Sequence, residues 1–241
     1  MIILVVEDIM SDTKRTFTLK VIAQLLVVVF ILPLLPLLIS GAWDWWEAWI
    51  YAVTATLGFI LSRALAVKRH PDILRERARS MEMKDAKSWD RILAPVMGLG
   101  SVLILIAAGL DKLYGWTPPF SLPVKIVALI VIIFGYVLGT WALMENRFFS
   151  GVVRIQTDRG HHVVTTGPYR FVRHPGYVGV LWTYLAMPFF LDSTWSFIPA
   201  GLTLLALILR TALEDKTLQT ELPGYKEYAQ KTKYRLFPGI W

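Results

Sequence analysis

The apolar positions of this chain run in long blocks and do not follow the alternating or amphipathic patterns of a soluble domain. Four blocks, at about 19–40, 45–67, 92–111 and 122–144, are each long enough for a helix to cross a hydrocarbon core of ~30 Å at ~1.5 Å per residue. Two further blocks, 177–191 and 194–213, are separated only by Asp192-Ser193 and read as a helical hairpin. The first arm of that hairpin is short for a full crossing, so it is expected to be tilted, re-entrant or shielded by protein. Pro33 and Pro36 predict a kink in the outer half of the first span, with the freed carbonyls taken up by neighbouring helices. Gly135 and Gly139 form a GxxxG pair that predicts close helix packing, by preference within the chain. The expected fold class is therefore an all-α integral membrane protein of about six transmembrane helices. No internal repeat, low-complexity tract or Gly/Ser linker divides it. A single domain, 1–241, is expected, with four N-terminal spans in 1–145 and the remainder in 146–241.

Composition agrees with this. Hydrophobic residues make up 55% of the chain, charged residues 18%, and the mean hydropathy is +0.52, more apolar surface than a soluble core buries. The opening MIILVVED looks like the first strand and acidic pair of a receiver domain, but no doubly wound pattern follows before the first span. Its six-residue apolar run, closed by Glu7 and Asp8, is also too short for a signal peptide. The net charge of +7 raises nucleic acid as a partner until the charges are placed. Twenty-two of the 25 Lys and Arg fall in 1–20, 68–91, 147–173 and 210–235, all on one side of the span map; only Arg63, Lys112 and Lys125 lie elsewhere. The positive-inside bias puts both termini and both long loops in the cytoplasm, and the charge needs no nucleic acid. Trp43, Trp45, Trp46, Trp49, Tyr114, Trp116 and Trp195 gather at the opposite ends as an aromatic belt.

The candidate chemistry lies in two polar regions that bracket the closing hairpin, 145–177 and 210–241, and a hairpin returns its ends to one place. In the first, 152–156 and 162–166 have β-like composition around Asp158-Arg159-Gly160, which predicts a small β-hairpin. Gly167-Pro168 then breaks the backbone, and Pro175 suits the first turn of a helix whose N-terminus favours an anionic group. His161 and His162 read as a solvated loop pair. With no Cys and no ligand spacing on a regular element, no metal site is expected. In the second region Arg210 and Glu214 are four apart, hence on one helix face near the inner end of the last span, where ionisable groups are functional candidates.

Gly167-Pro168-Tyr169, Arg173-His174-Pro175-x-Tyr177, Arg210-x-x-x-Glu214-Asp215-x-x-Leu218 and Gly224-Tyr225-x-x-Tyr228, in that order behind several spans, resemble the isoprenylcysteine carboxyl methyltransferase superfamily, which includes membrane phospholipid methyltransferases. The resemblance covers roughly the last hundred residues. Pro71-Asp72-Ile73-Leu74-x-Glu76-Arg77, Lys84-Asp85-Ala86-Lys87 and Trp89-Asp90 also look like a loop of its prokaryotic-type members. It implies S-adenosylmethionine in a cytoplasmic pocket between that loop and the C-terminal segment. The acceptor it implies is lipophilic, a small molecule or a lipidated protein entering from the bilayer, with membrane lipids as neighbours. Cofactor contacts are implied for Gly167, Pro168, Tyr169, Arg173, His174, Pro175, Tyr177, Glu214 and Tyr225. Glu214 would hold the cofactor's amino group and Arg210 would orient the acceptor or Glu214. Asp215 stands where many members carry Glu, so of the acidic pair only Glu214 is carried over. Arg69-His70-Pro71 repeats the RHP string without its flanking residues and is set aside, so changes at His70 and Asp215 are expected to matter much less than changes at His174 and Glu214. Two other readings compete. An NADPH-dependent, sterol-reductase-like membrane enzyme shares a related RHPxYxG loop and tail. A non-catalytic scaffold or transporter would place polar residues at the midplane, which the first four spans lack.

Overall fold

The computed structural model describes residues 26–73, 76–77 and 85–241. The opening MIILVVED string, the start of the first expected span (19–25), and 74–75 and 78–84 of the first long loop lie outside the described residues. The described elements are all helical: α1 (Val27–Ser40), α2 (Trp46–Arg69), α3 (Asp90–Tyr114), α4 (Leu122–Glu145), α5 (Pro175–Phe190), α6 (Phe197–Glu221) and a short polar α7 (Tyr225–Lys231). Among them α2, α3, α4 and α6 are long and apolar enough to cross a membrane. The expectation of about six spans is thus met for four. α5 has 16 residues, about 24 Å of helix against a core of ~30 Å. It is the helix shielded by protein, because most of its side chains, from Val178 to Phe190, are buried in the bundle.

Local chemistry explains the departures from regular helix. In α1 the backbone runs as a π-turn over Val27–Ile31 and a 3-10 turn over Leu32–Leu34 before regular helix resumes. Pro33 cannot donate to Val29 O, and that carbonyl instead accepts a hydrogen bond from Thr56 Oγ1 of α2 at 2.9 Å. The expected kink and its rescue by a neighbour are both present. The glycine pair of α4 packs within the chain: a Cβ on Gly135 would come 2.6 Å from Gly179 O, and one on Gly179 would come 2.5 Å from Gly135 O. Only backbone without side chains lets α4 and α5 approach so closely. The core at this level is Leu37, Tyr51, Ile104, Ile132, Met187 and Phe190.

Two expectations need correction. No strand is assigned in 152–166. The chain does reverse at a 3-10 turn, Thr157–Arg159, but side-chain bonds hold its arms, and no ladder forms between them. Trp45 is not part of the aromatic belt; at 2% exposure it is core, while Trp43, Trp46, Trp49, Tyr114, Trp116 and Trp195 are exposed at that end.

Candidate functional site

The C-terminal ends of α4 and α6 and the N-terminal ends of α3 and α5 meet at one end of the bundle, and a cleft of about 810 Å³, open mouth included, lies between them. The segment joining α4 to α5 forms its outer wall, and the joining chain is pinned from several sides. Asp72 accepts hydrogen bonds from Arg147 (2.8 Å) and Arg159 (2.7 Å). Burial alone would raise the Asp72 pKa, but these two guanidiniums bring it down to about 2. Buried Arg154 donates to both oxygens of Glu76 (2.9 and 2.6 Å) and to Asp158 (2.8 Å). Lys87 donates to Glu221 at 2.6 Å. The 68–91 loop thereby ties the cleft wall to α6, although none of its described residues lines the cleft itself.

The entry to α5 is held from behind. Gly167 has φ +57, and a Cβ there would meet Glu145 Cγ at 2.9 Å, so both backbone and space call for glycine. The N–H groups of Arg173 and His174 donate to the carbonyls of Tyr234 (2.9 Å) and Arg235 (3.0 Å) in the C-terminal tail. Arg173 grips Asp215 with Nε (2.7 Å) and Nη2 (3.0 Å) and donates Nη1 to the carbonyls of Thr232 and Lys233. Asp215, fully buried, also accepts from His174 Nε2 (3.3 Å), Gln219 (2.7 Å), Tyr225 OH (3.2 Å) and Arg235 (2.9 Å). A carboxylate only accepts, so Nε2 of His174 bears a proton. Asp215, expected to matter much less than His174 and Glu214, is the hub that joins His174, Arg173 and Tyr225.

Arg210 also differs from its expected role toward Glu214. Its Nε and Nη2 clasp Asp90 at 2.7 and 3.0 Å, and Nη2 also reaches Gly151 O at 2.9 Å. Asp90 in turn accepts from Val153 N at 2.6 Å. No ion pair joins Arg210 to Glu214; the guanidinium instead lies 5.5 Å over the Tyr177 ring. Glu214 has one partner, the Tyr177 hydroxyl, which donates a short hydrogen bond to it.

Of the residues singled out from sequence, Tyr169, Arg173, His174, Tyr177, Arg210, Glu214 and Tyr225 line the cleft, while Gly167, Pro168 and Pro175 lie behind the wall. His70 stays away from it and donates Nε2–H to Met144 O (2.9 Å), joining α2 to α4. Sequence reasoning missed Asn146, Phe148, Phe149, Arg154 and Gln156 in the lining; His162 is exposed as expected, but His161 is half-buried, and both border the cleft. His161 packs on Phe148 with ring centres 4.5 Å apart. Burial, then the charges of His162, Arg154 and Arg159, lower its pKa to about 4, so it is neutral at pH 7. Burial raises the phenols of Tyr169, Tyr225 and Tyr228, so they stay protonated and donate to Ala142 O, Asp215 and Tyr169 O respectively.

Residues 127–220, which carry α4 through α6 and most of this lining, match the isoprenylcysteine carboxyl methyltransferase (ICMT) family. The chain is ICMT-like over this segment. Probable protein-S-isoprenylcysteine O-methyltransferases of Oryza sativa, subspecies indica and japonica, are each 32% identical over 111 residues, 45% of this chain and 58% of the rice protein. The Delta(14)-sterol reductase of Mus musculus is 26% identical over 144 residues, 51% of this chain and 32% of the reductase. The chain thus spans somewhat over half the length of its rice relatives. Arg235 and Asp90 lie outside the ICMT-like segment, yet they complete its ion pairs, and Tyr225, also outside it, adds a hydrogen bond to Asp215.

Proposed function

We propose that this protein transfers a methyl group from S-adenosylmethionine to a lipophilic acceptor that reaches the cleft from the membrane. The charge balance of the cleft carries this reading. Its three lining arginines, Arg154, Arg173 and Arg210, are each clasped by a carboxylate, and Glu214 is the lining carboxylate whose hydrogen-bond partner is a neutral phenol and not a guanidinium. An acid in a partly desolvated wall favours a cationic ligand group. The cofactor offers an ammonium and a sulfonium. Phe148, Phe149 and Tyr177 add flat faces for a purine and for cation–π contact with the sulfonium.

When bound, the cofactor supplies an electrophilic methyl group on positive sulfur. The chain's own contribution is alignment and the exclusion of water. Glu214 grips the ammonium. Asp215 fixes His174, which with its neighbouring backbone borders the cofactor together with Tyr169 and Tyr225. Arg210, locked by Asp90, keeps the acceptor side of Tyr177 in register. The rice relatives' name, together with the buried, protonated phenols, favours a prenylcysteine-like carboxylate as acceptor, because a carboxylate is ionised at neutral pH and needs no general base. In this reading both chain ends and the cleft face the cytoplasm.

The mouse reductase relative supports a second reading, an NADPH-dependent reduction. Dinucleotide phosphates call for unpaired cations, and the lining arginines are all paired, so methyl transfer is the better account. Calorimetry on the purified protein separates the two: binding of S-adenosylhomocysteine with no heat from NADPH, plus transfer of labelled methyl into a lipid-phase product, is the expected result. Binding of NADPH alone would overturn it.

A further inference from the structure

Arg63 belongs to neither polar end of the bundle. It stands on α2 about 9 Å short of the helix end at Arg69, taking 1.5 Å per residue. A long basic side chain in this position ordinarily snorkels toward the nearer end. Arg63 turns the other way: its guanidinium lies 4.6 Å over the ring of Phe59, one turn deeper, and Nη1 donates to Ser62 Oγ at 3.3 Å. Both partners are neutral, and no carboxylate of the described residues pairs with it.

Its surroundings connect it to the cleft. Val67, one turn on along the same face, packs with Leu143 and Phe149, and Phe149 lines the cleft. The guanidinium of Arg77 lies 5.5 Å over that same Phe149 ring. Burial, and after it the like charges of Arg63 and Arg210, push the Arg77 pKa down. Arg63, Arg77 and Arg210 lie over three different rings, Phe59, Phe149 and Tyr177, and Asp90 neutralises only Arg210 among the two guanidiniums that α2 and α6 contribute. Toward Arg63 runs an exposed apolar stripe, Val53, Leu57 and Ile60. A cation held inside the apolar zone without an anion is costly unless something anionic completes it.

We propose that Arg63 is a binding site for the anionic end of a membrane amphiphile, a carboxylate or phosphate, whose hydrocarbon chain lies along the Val53, Leu57 and Ile60 stripe. The site stands without the methyl-transfer reading; where that reading holds as well, it makes the acceptor an anionic amphiphile presented at the Phe149 wall. Arg63 is then a specificity residue on the membrane side of the cleft.

The test uses the full chain in neutral phosphatidylcholine nanodiscs with no methyl donor, so that its failure is distinct from failure of cofactor binding. Oleate, oleyl phosphate and oleyl alcohol are titrated against the wild type and R63Q. The expected result is that one or both anionic probes bind at least ~10-fold tighter than the alcohol to the wild type, and that R63Q loses this preference. A preference for oleate alone assigns the site to carboxylates, and one for oleyl phosphate assigns it to phosphate headgroups. Equal binding of all three by the wild type overturns the proposal, whatever the folding of the variant. So does an undiminished preference in R63Q.

Discussion

At the end of the bundle away from the cleft, Lys125 sits between Glu47 and Asp192, and Asp111 accepts from Thr117 N, Thr117 Oγ1, Ser193 Oγ and Trp195 N. Asp192 also takes the N–H of Phe120 at 2.7 Å. At the cleft end Asp90, Asp215 and Glu76 are as fully engaged, and Glu214 is the exception. Both ends bury charge, and both bind helices together with it, but only one leaves an acid in a cleft with spare hydrogen-bonding capacity. Buried ion pairs are thus common to both ends, and what sets the cleft end apart is an acid whose hydrogen-bond partner is a neutral phenol.

The largest effects should come from breaking the closed clusters. Asp215→Asn leaves Arg173 and Arg235 without their anion, and Lys125→Met leaves Glu47 and Asp192 facing each other. Removing one partner of a buried ion pair costs about 3–5 kcal/mol, so each variant should unfold well below the wild type in detergent, followed by tryptophan fluorescence. The ends should then diverge. Per folded molecule, Lys125→Met should bind S-adenosylhomocysteine as the wild type does, and Asp215→Asn should not, because His174 and Tyr225 lose their anchor. Normal affinity in Asp215→Asn would mean that the hub holds the fold alone.

Glu214→Gln should behave the opposite way. Gln keeps the shape and still accepts from Tyr177, so the unfolding midpoint should move little. Loss of the charge should weaken S-adenosylhomocysteine binding by about 100-fold, some 2.7 kcal/mol. A large stability loss with intact affinity would move Glu214 into the same class as Asp215.

How much of this contrast is legible in the sequence follows from the range of each interaction. The spans, the proline break in α1 and the glycine contact of α4 are set by residues close in sequence or by bilayer thickness, and they read out well. His174 and Tyr177 at the head of α5 and Glu214 on α6 stand out because each sits in a short run of recognisable spacing. The hub at Asp215 is not legible because its five partners come from four separate segments, and no local pattern announces them. The sequence offers Arg210 the acceptor or Glu214, its neighbour one turn away, whereas its ion-pair partner is Asp90, 120 residues distant. The β-like composition of 152–166 was outweighed by side-chain bonds from Arg154, Gln156 and Arg159, which satisfy the segment without a ladder.

A smaller effect is expected at the interface of α4 and α5. Gly179→Ala puts a methyl group within 2.5 Å of Gly135 O, and overpacking of this kind costs about 1–3 kcal/mol. Since α5 carries His174 and Tyr177 at its head, ligand affinity should fall along with the unfolding midpoint. A lower midpoint with unchanged affinity would show that the head of α5 is held by the tail and Asp215 alone.

The smallest effect is a pH dependence confined to the cleft end. His161 accepts a hydrogen bond from Gln156 N through Nδ1 at 3.2 Å, a bond that protonation of that nitrogen removes. Its pKa falls to about 4 in the folded protein, through burial first and then the positive charges of His162, Arg154 and Arg159, against about 6.5 in an unfolded chain. A base with a depressed folded pKa stabilises the fold in its neutral form. The contribution is complete above about pH 6.5, declines as pH falls because the unfolded chain takes up the proton first, and is gone below about 4. Asp72 acts lower still, since its contribution is lost as pH falls toward its folded value of about 2. Between pH 6.5 and 4, then, the wall at 156–162 should loosen while the Lys125 cluster holds. Hydrogen exchange at the Gln156 and His161 amides should quicken relative to that at Phe120 and Trp195, after correction for the intrinsic pH dependence. His161→Asn, which offers an uncharged acceptor of similar reach, should flatten the difference. Equal quickening at both ends in the wild type, or an unchanged difference in the variant, would show that His161 is not the titrating group and that the two ends loosen as one.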